Sequence, residues 1–338
     1  MPPPMRLNGG VLTPAAVPLD RLIDARSPLI GGAESRTLSR RVERGELERI
    51  RPGLFREPLS PVESLDWARR APEQRRRHLE SAVAVALTRS SPVVFSHRTA
   101  LAILGLPLLG PWPGAVDILE PPDSPRRSAN GVRVHRLPFE AEDVIPWGEF
   151  FVTSPERTLA DVARELPMIF SVPALDAGLI ELDREGIRAI LDRDGGIRGT
   201  ARAVQAVDFA DPASGSPGES GSRVVMAMLG TPRPELQLRY LSRRGRGAYL
   251  TDFEWPGLRK IGEFDGRGKY LKDELLRGRS PGQVVYEEKL REDELRAEGN
   301  DVGRWGMPAV RCPWFLRDEL GRIGVPMTRG NRHLRPLW

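Results

Sequence analysis

The stretch 251–270, TDFEWPGLRKIGEFDGRGKY, decides how the C-terminal third of this chain is read. Pro256-Gly257 supplies turn residues between two segments with strand character, so a hairpin is predicted with strands over 248–255 and 259–265. Residues two apart on a strand share a face. Glu263 and Asp265 then point one way and Phe264 the other, while Asp252 lies on the antiparallel partner strand. Three carboxylates gather on one face. Like charges packed together are costly unless a cation sits among them. Hard oxygen donors suit Mg2+, with Mn2+ as the alternative, held by carboxylates and a substrate phosphate. The chain has four lysines, Lys260, Lys269, Lys272 and Lys289, and all four fall within 260–289. An ammonium is a compact, strongly hydrated point charge that a guanidinium does not replace. A lysine beside the carboxylates would stabilise charge on a phosphodiester or help to deprotonate water. The alternative is a solvated hairpin face that carries lysines by chance.

The rest of the chain sets bounds on that reading. Its 338 residues, 40% hydrophobic and 29% charged, suit a globular protein of two or three domains. A formal charge of +5 and a pI near 9.8 suit a polyanionic partner. The single cysteine, Cys312, excludes a disulfide within the chain and a thiolate metal cluster. No apolar run approaches the length of a membrane span, and the N-terminus lacks the apolar core of a signal peptide, so a cytoplasmic location is expected.

Near the N-terminus the pattern predicts a short helix at 19–26, a second helix at 34–44 and a hairpin turning at Pro52-Gly53. Leu38 and Val42 share one face of the second helix. Arg36, Arg40 and Arg44 form a stripe on the other, next to Arg41. The hairpin adds Arg49, Arg51 and Arg56. Helix, basic helix and basic hairpin in that order read as a winged helix-turn-helix, and these arginines are its candidate DNA contacts; a solvated helix face is the competing reading of the stripe. Ser96 is the expected N-cap of the helix that follows. His97 and His135, far apart in sequence, are read as structural. Glu287, Glu288, Lys289, Arg291, Glu292 and Asp293 alternate in sign as an exposed helix does.

Two resemblances sharpen these expectations. The segments SPGES (216–220), TDFEWPGLRKIGEFDGR (251–267) and YEEKLREDELRAEGNDVGRW (286–305) resemble the very-short-patch-repair endonucleases, which have the PD-(D/E)xK nuclease fold. That resemblance implies Glu219 near the metal on the first helix, Asp252 as the first motif acid and Glu263 as the second. Asp265 stands where the motif has its lysine, which leaves Lys269 or Lys289 as the candidate ammonium. Glu219 also lies three residues after Ser216, so a capping box accounts for it equally well. The N-terminal LSRRVERGELERIRPGLFRE (38–57) resembles the winged helix of AbiEi-type antitoxins. FSHRTALAILGLP (95–107) and FVTSPERTLADVARELP (151–167) are similar to the middle region of that family's nuclease-fused members.

The expected organisation is a mixed α/β chain of the α+β type. A poorly ordered 1–18 precedes a winged helix at 19–62 and a middle α/β domain at 63–207. A linker at 208–218, a nuclease-like domain at 219–322 and a tail at 323–338 follow. The leading expectation is a metal-dependent DNA endonuclease in a toxin–antitoxin or defence context, with a cognate toxin as possible partner. The alternative is a non-catalytic antitoxin or transcriptional regulator with a degenerate nuclease fold.

Overall fold

The computed structural model describes residues 12–26, 32–58, 67–242, 248–266 and 281–328. The expected N-terminal and C-terminal tails and the loop carrying Lys269 and Lys272 lie largely or wholly outside the described residues. The chain divides into two compact units. One takes in Leu12–Arg164 and Glu185–Thr200; the other takes in Glu165–Arg184 and the chain from Ala201 onward. Eleven α-helices and three sheets among the described residues make this an α+β fold.

The first unit begins with a 3-10 turn at Leu19–Arg21 and strand β1 (Ile23–Asp24), where the sequence predicts a helix over 19–26. A helix of two turns is marginal by itself. Pairing of Ile23 with Phe55 and of Asp24 with Leu54 draws the segment into a sheet instead. Helix α1 (Gly32–Glu43) and the hairpin of β2 (Glu48–Arg51) and β3 (Leu54–Arg56) form as expected, in a sheet ordered β1-β3-β2. Gly45 at φ +72° ends the helix and Gly53 at φ +77° makes the hairpin turn, both in the left-handed region that glycine favours. Leu38, Leu47 and Phe55 are buried together, with Ile23, Ala25 and Val42 packed around them. Burial of each such large side chain contributes roughly 1.5–3 kcal/mol. Three do not make a core sufficient for independence, and the hairpin is tied to helix α2 (Trp67–Leu87). Arg56 is buried and donates to Glu48 on β2 and Glu80 on α2, so it is a tie rather than a free basic residue.

The same unit holds β4 (Val94–Phe95), α3 (His97–Leu104), β5 (Val116–Glu120), β6 (Val132–Arg136), β7 (Val144–Trp147), β8 (Phe150–Thr153) and α4 (Pro155–Glu165). The sheet order is β6-β5-β4-β8-β7. β5–β6 and β4–β8 are parallel and the other pairs antiparallel. Val83, Phe95, Ile103, Ile118, Trp147 and Val152 form its apolar centre. Arg157 of α4, fully buried, is held by Asp143, Asp161 and Asp194, which fastens the 185–200 segment beside the sheet.

The second unit contains α5 (Met168–Gly178), most of α7 (Thr200–Phe209), α8 (Pro217–Leu229), β9 (Glu235–Leu241), β10 (Ala248–Trp255), β11 (Lys260–Phe264), α9 (Pro281–Ala297), β12 (Asp301–Trp305), α10 (Met307–Arg311) and α11 (Pro313–Arg322). Helix α6 (Arg184–Arg193) crosses from one set of residues to the other in sequence. The sheet order is β12-β11-β10-β9, antiparallel except for β11–β12. The hairpin predicted at Pro256-Gly257 is present, with Arg259 at φ +56° closing it. One face packs on α8. Phe253 and Trp305 stack at 5.5 Å, and Trp305 Nε1 donates to Ser222 Oγ at 2.9 Å. A Cβ on Gly262 would lie 2.3 Å from Trp305, so only glycine fits beneath that ring.

The 208–218 segment, read from its composition as a linker, lies within this unit and is pinned. Asp211 N donates to Asp176 Oδ1 of α5 at 2.7 Å. Arg223 of α8 donates to Asp176 Oδ2 and Ser214 Oγ, each at 2.8 Å, and to Phe209 O at 2.6 Å. No helix among the described residues is long and apolar enough to cross a membrane.

Candidate functional site

Asp252 and Glu263 meet on the sheet face opposite α8. Phe253 pairs with Gly262, and the next rung of that register sets Asp252 opposite Glu263. Both carboxylates are buried, 8% and 7% exposed. Asp252 Oδ2 accepts from Phe264 N at 2.7 Å, which holds it across the strand pair. Glu263 Oε2 accepts from Arg291 of α9. Arg291 also donates to Leu250 O at 3.2 Å, and its guanidinium lies over the Tyr249 ring at 5.3 Å. Glu263 Oε1 is buried with no hydrogen-bond partner among the described residues. Its neighbour on β10 shows the contrast. Glu254 is equally buried, yet accepts from Tyr240 Oη at 2.7 Å and Thr251 Oγ1 at 3.3 Å. On the far side of Glu263, Arg304 is its register partner on β12 and pairs with Glu292 of α9 at 3.0 Å. Burial raises the Glu263 carboxyl, Arg291 pulls it back, and the Asp252 carboxylate pushes it up again, so that it stands at about 7.

The other expected members of the site are placed differently. β11 ends at Phe264, so Asp265 follows the strand; it is half-buried, and its N donates to Trp305 O at 2.7 Å. Glu219 is buried at the start of α8 in the capping arrangement that the sequence allowed. Its N donates to Ser216 Oγ at 3.2 Å. Its carboxylate accepts from Gly215 N at 2.8 Å, Ser216 Oγ at 2.8 Å and Gln237 Nε2 at 2.9 Å. Gln237, at φ +53°, falls opposite Asp252 in the β9–β10 register, so Glu219 reaches the rung of Asp252 through it. Among the described residues, Asp252, Glu263, Asp265 and Glu219 do not supply three oxygens within 4.8 Å of one another. Lys289 is exposed on α9, and Lys269 lies outside the described residues.

Arg291 is the cation beside the carboxylates, and the sequence reading assigned it to a solvated face. A signal was present: Arg291 is one helical turn before Leu295, which is 1% exposed and packs with Ile261 and Val302 on the same sheet.

In the first unit, Arg36 lies on α1, and Arg40, Arg44 and Arg49 include the most exposed of the expected DNA contacts. Arg41 donates to Glu46 at 3.3 Å, and Arg44 lies 3.8 Å from the same residue. Arg49 sits over the Phe55 ring at 5.4 Å. Arg51 is half-buried and donates to Asn130 O at 3.3 Å.

His97 and His135, distant in sequence, stack at 3.6 Å between ring centres. Parallel pairing of β5 and β6 brings His135 beside Asp117, whose Oδ1 lies 2.9 Å from His135 Nε2. Ser96 occupies the N-cap position of α3, but its hydroxyl meets His97 Nδ1 at 3.0 Å and makes no capping bond. Burial, reinforced by His135 and by Arg157, Arg98 and Arg133, holds His97 well below the usual histidine range and therefore neutral.

No family model matches the chain. It is 34% identical over 115 residues to an uncharacterized protein of Mycobacterium tuberculosis, Rv2248 in strain H37Rv and MT2308 in strain CDC 1551, a match that takes in 33% of this chain and 42% of that protein. The chain thus spans less than half the length of these relatives. Among solved structures, the crystal structure of the RV2827C protein from Mycobacterium tuberculosis overlaps 65% of this chain and 80% of its own, at 19% identity and a TM-score of 0.35.

Proposed function

We propose that this chain is a DNA-binding protein that cuts phosphodiester bonds with a divalent metal held at Asp252 and Glu263. The observation that carries this reading is the buried Glu263 Oε1, without a hydrogen-bond partner among the described residues, beside the Asp252 carboxylate. A buried acceptor with no donor is costly, and a hard cation is the ligand that oxygen atoms of this kind fit. Asp252 and Glu263 would hold Mg2+ or Mn2+, which would activate water and stabilise charge developing on a phosphate. Phe264 N orients Asp252, and Arg291 supplies a fixed positive charge beside Glu263 in the role the sequence reading gave to a lysine. Arg40, Arg44 and Arg49 give the N-terminal helix and hairpin a basic surface for the DNA backbone.

The Arg291–Glu263 ion pair favours a second reading, because it already balances the buried charge without a metal. On that reading the chain is a non-catalytic regulator or antitoxin of the cytoplasm whose nuclease-like sheet binds nucleic acid or a toxin. Cleavage assays with Mg2+ or Mn2+ on duplex, nicked, mismatched and single-stranded DNA separate the two. The nuclease reading expects metal-dependent cleavage that is lost in Asp252→Ala and in Glu263→Ala while DNA binding persists. Absence of cleavage on every form leaves the regulator.

A further inference from the structure

We infer that Arg51, Arg89 and Arg126 form a phosphate-binding pocket between the hairpin and the middle sheet, and that its ligand is a DNA backbone phosphate beyond the winged helix itself. The inference rests on the DNA-binding half of the proposed function and is independent of the nuclease half.

Three chain segments converge there, all in the first unit. Arg51 ends β2, and its Nη1 reaches Asn130 O at 3.3 Å in the turn before β6. Asn130 and Gly131, at φ +51° and +74°, form that turn. Arg89 follows α2. Arg126 lies in the loop between β5 and β6 and donates to Ser91 Oγ and to Glu120 Oε1. Arg136 braces the same loop, with Nε donating to Ser124 O at 3.0 Å and Nη2 to Arg126 O.

The charges do not balance. Glu120 faces Arg89 and Arg126, with Arg51 close enough to Arg89 to repel it, and Arg126 and the Ser124 hydroxyl already bond to Glu120. Arg89 Nη1 is 4.0 Å from Glu120 Oε1, beyond hydrogen-bond reach. Arg89 Nη1 and Arg51 Nε are both buried atoms with no hydrogen-bond partner among the described residues. Arg89 is pushed below the usual arginine range, by burial first and then by Arg126, with Arg51 adding to the repulsion against the pull of Glu120. Like charges held together at the surface, with donors left over, call for an anion. Phosphate oxygens accept from guanidinium forks at two points at once, which suits the partly exposed guanidiniums of Arg89 and Arg126. Arg51 belongs to the hairpin already read as DNA-contacting, so a backbone laid on that hairpin continues onto the pocket.

The test uses the full chain and a duplex long enough to cover both surfaces. Affinity is measured against salt for wild type, Arg89→Gln and Glu120→Gln, with thermal melts and circular dichroism to show that each folds. The pocket predicts that Arg89→Gln lowers the salt slope by about one unit, the signature of one lost phosphate contact. It predicts that Glu120→Gln, which removes the countercharge, tightens binding. An Arg40→Ala, Arg44→Ala, Arg49→Ala variant serves as control. If it loses DNA while Arg89→Gln keeps wild-type affinity and slope, the pocket is wrong and the winged helix stands. If neither variant changes binding, the DNA-binding reading itself falls. Inorganic phosphate at matched ionic strength is the second probe. Stabilisation of wild type but not of Arg89→Gln, with an unchanged DNA slope, overturns the DNA assignment in favour of a free-anion site.

Discussion

Glu263 is the residue on which the account turns, because its environment gives it two uses. In the unfolded chain such a carboxyl titrates near 4.5; in the fold it does so at about 7. Between those values the folded state binds more protons than the unfolded one, so stability falls as pH rises through that window. The sign follows from a pKa that burial has raised: the ionised form, present above about 7, is the less favourable one in the fold. Glu263→Gln mimics the protonated form at every pH. It should match wild type at pH 4 and exceed it at pH 8, as measured by urea unfolding across that range. Equal pH dependence in the two proteins would mean that Glu263 is not the titrating group. On the proposed function the same shift would govern metal binding, since only the carboxylate is a ligand and metal must displace the proton. Asp252 and Glu263 were legible in the sequence because period-two alternation and a Pro-Gly turn fix which residues share a face. Asp265 follows the end of β11, beyond the alternation that orients Glu263.

At the scale of elements, α9 and the β10–β11 hairpin define the site together. The alternating charges of 287–293 and the Pro256-Gly257 turn placed both segments. It missed what α9 contributes. Helix charge patterns report what water sees on average, whereas Arg291 is turned onto the sheet by the burial of Leu295 one turn later. Arg291→Ala should therefore behave unlike a surface change. It leaves Glu263 buried without its partner, a loss of about 3 kcal/mol at neutral pH, the lower end for breaking a buried pair because Arg291 is a quarter exposed. Chemical unfolding at pH 8 and pH 5 checks this. The penalty should shrink at pH 5, where Glu263 takes up a proton. A penalty that is equal at both pH values would assign the loss to packing against Tyr249. The N-terminal strand β1 was illegible for a related reason: its identity is set by pairing with Leu54 and Phe55, thirty residues away, rather than by its own propensity.

For the whole molecule, composition suggested a linker where the fold has a fastening. Small polar residues over 208–218 are consistent with a linker, yet Asp176 and Arg223 bond to that stretch from α5 and α8. Limited proteolysis of the full chain should therefore spare 208–218 at protease levels that already cut other segments of the chain. Early cleavage there would mean that those bonds open readily. The broader lesson concerns ionic ties. Arg157 and Arg223 are buried, and Arg291 half-buried, against carboxylates that the tertiary fold brings from elsewhere in the chain, Asp143 and Asp194, Asp176, and Glu263, and no local pattern announces those partners. The central claim is that Asp252 and Glu263 form a divalent-metal site. Titration calorimetry of Mn2+ into the full chain at pH 6 and pH 8 tests it most directly. The account predicts one site, tighter at pH 8 than at pH 6 and absent in Asp252→Ala. Mn2+ binding that is undetectable at both pH values, or that survives Asp252→Ala unchanged, would contradict it.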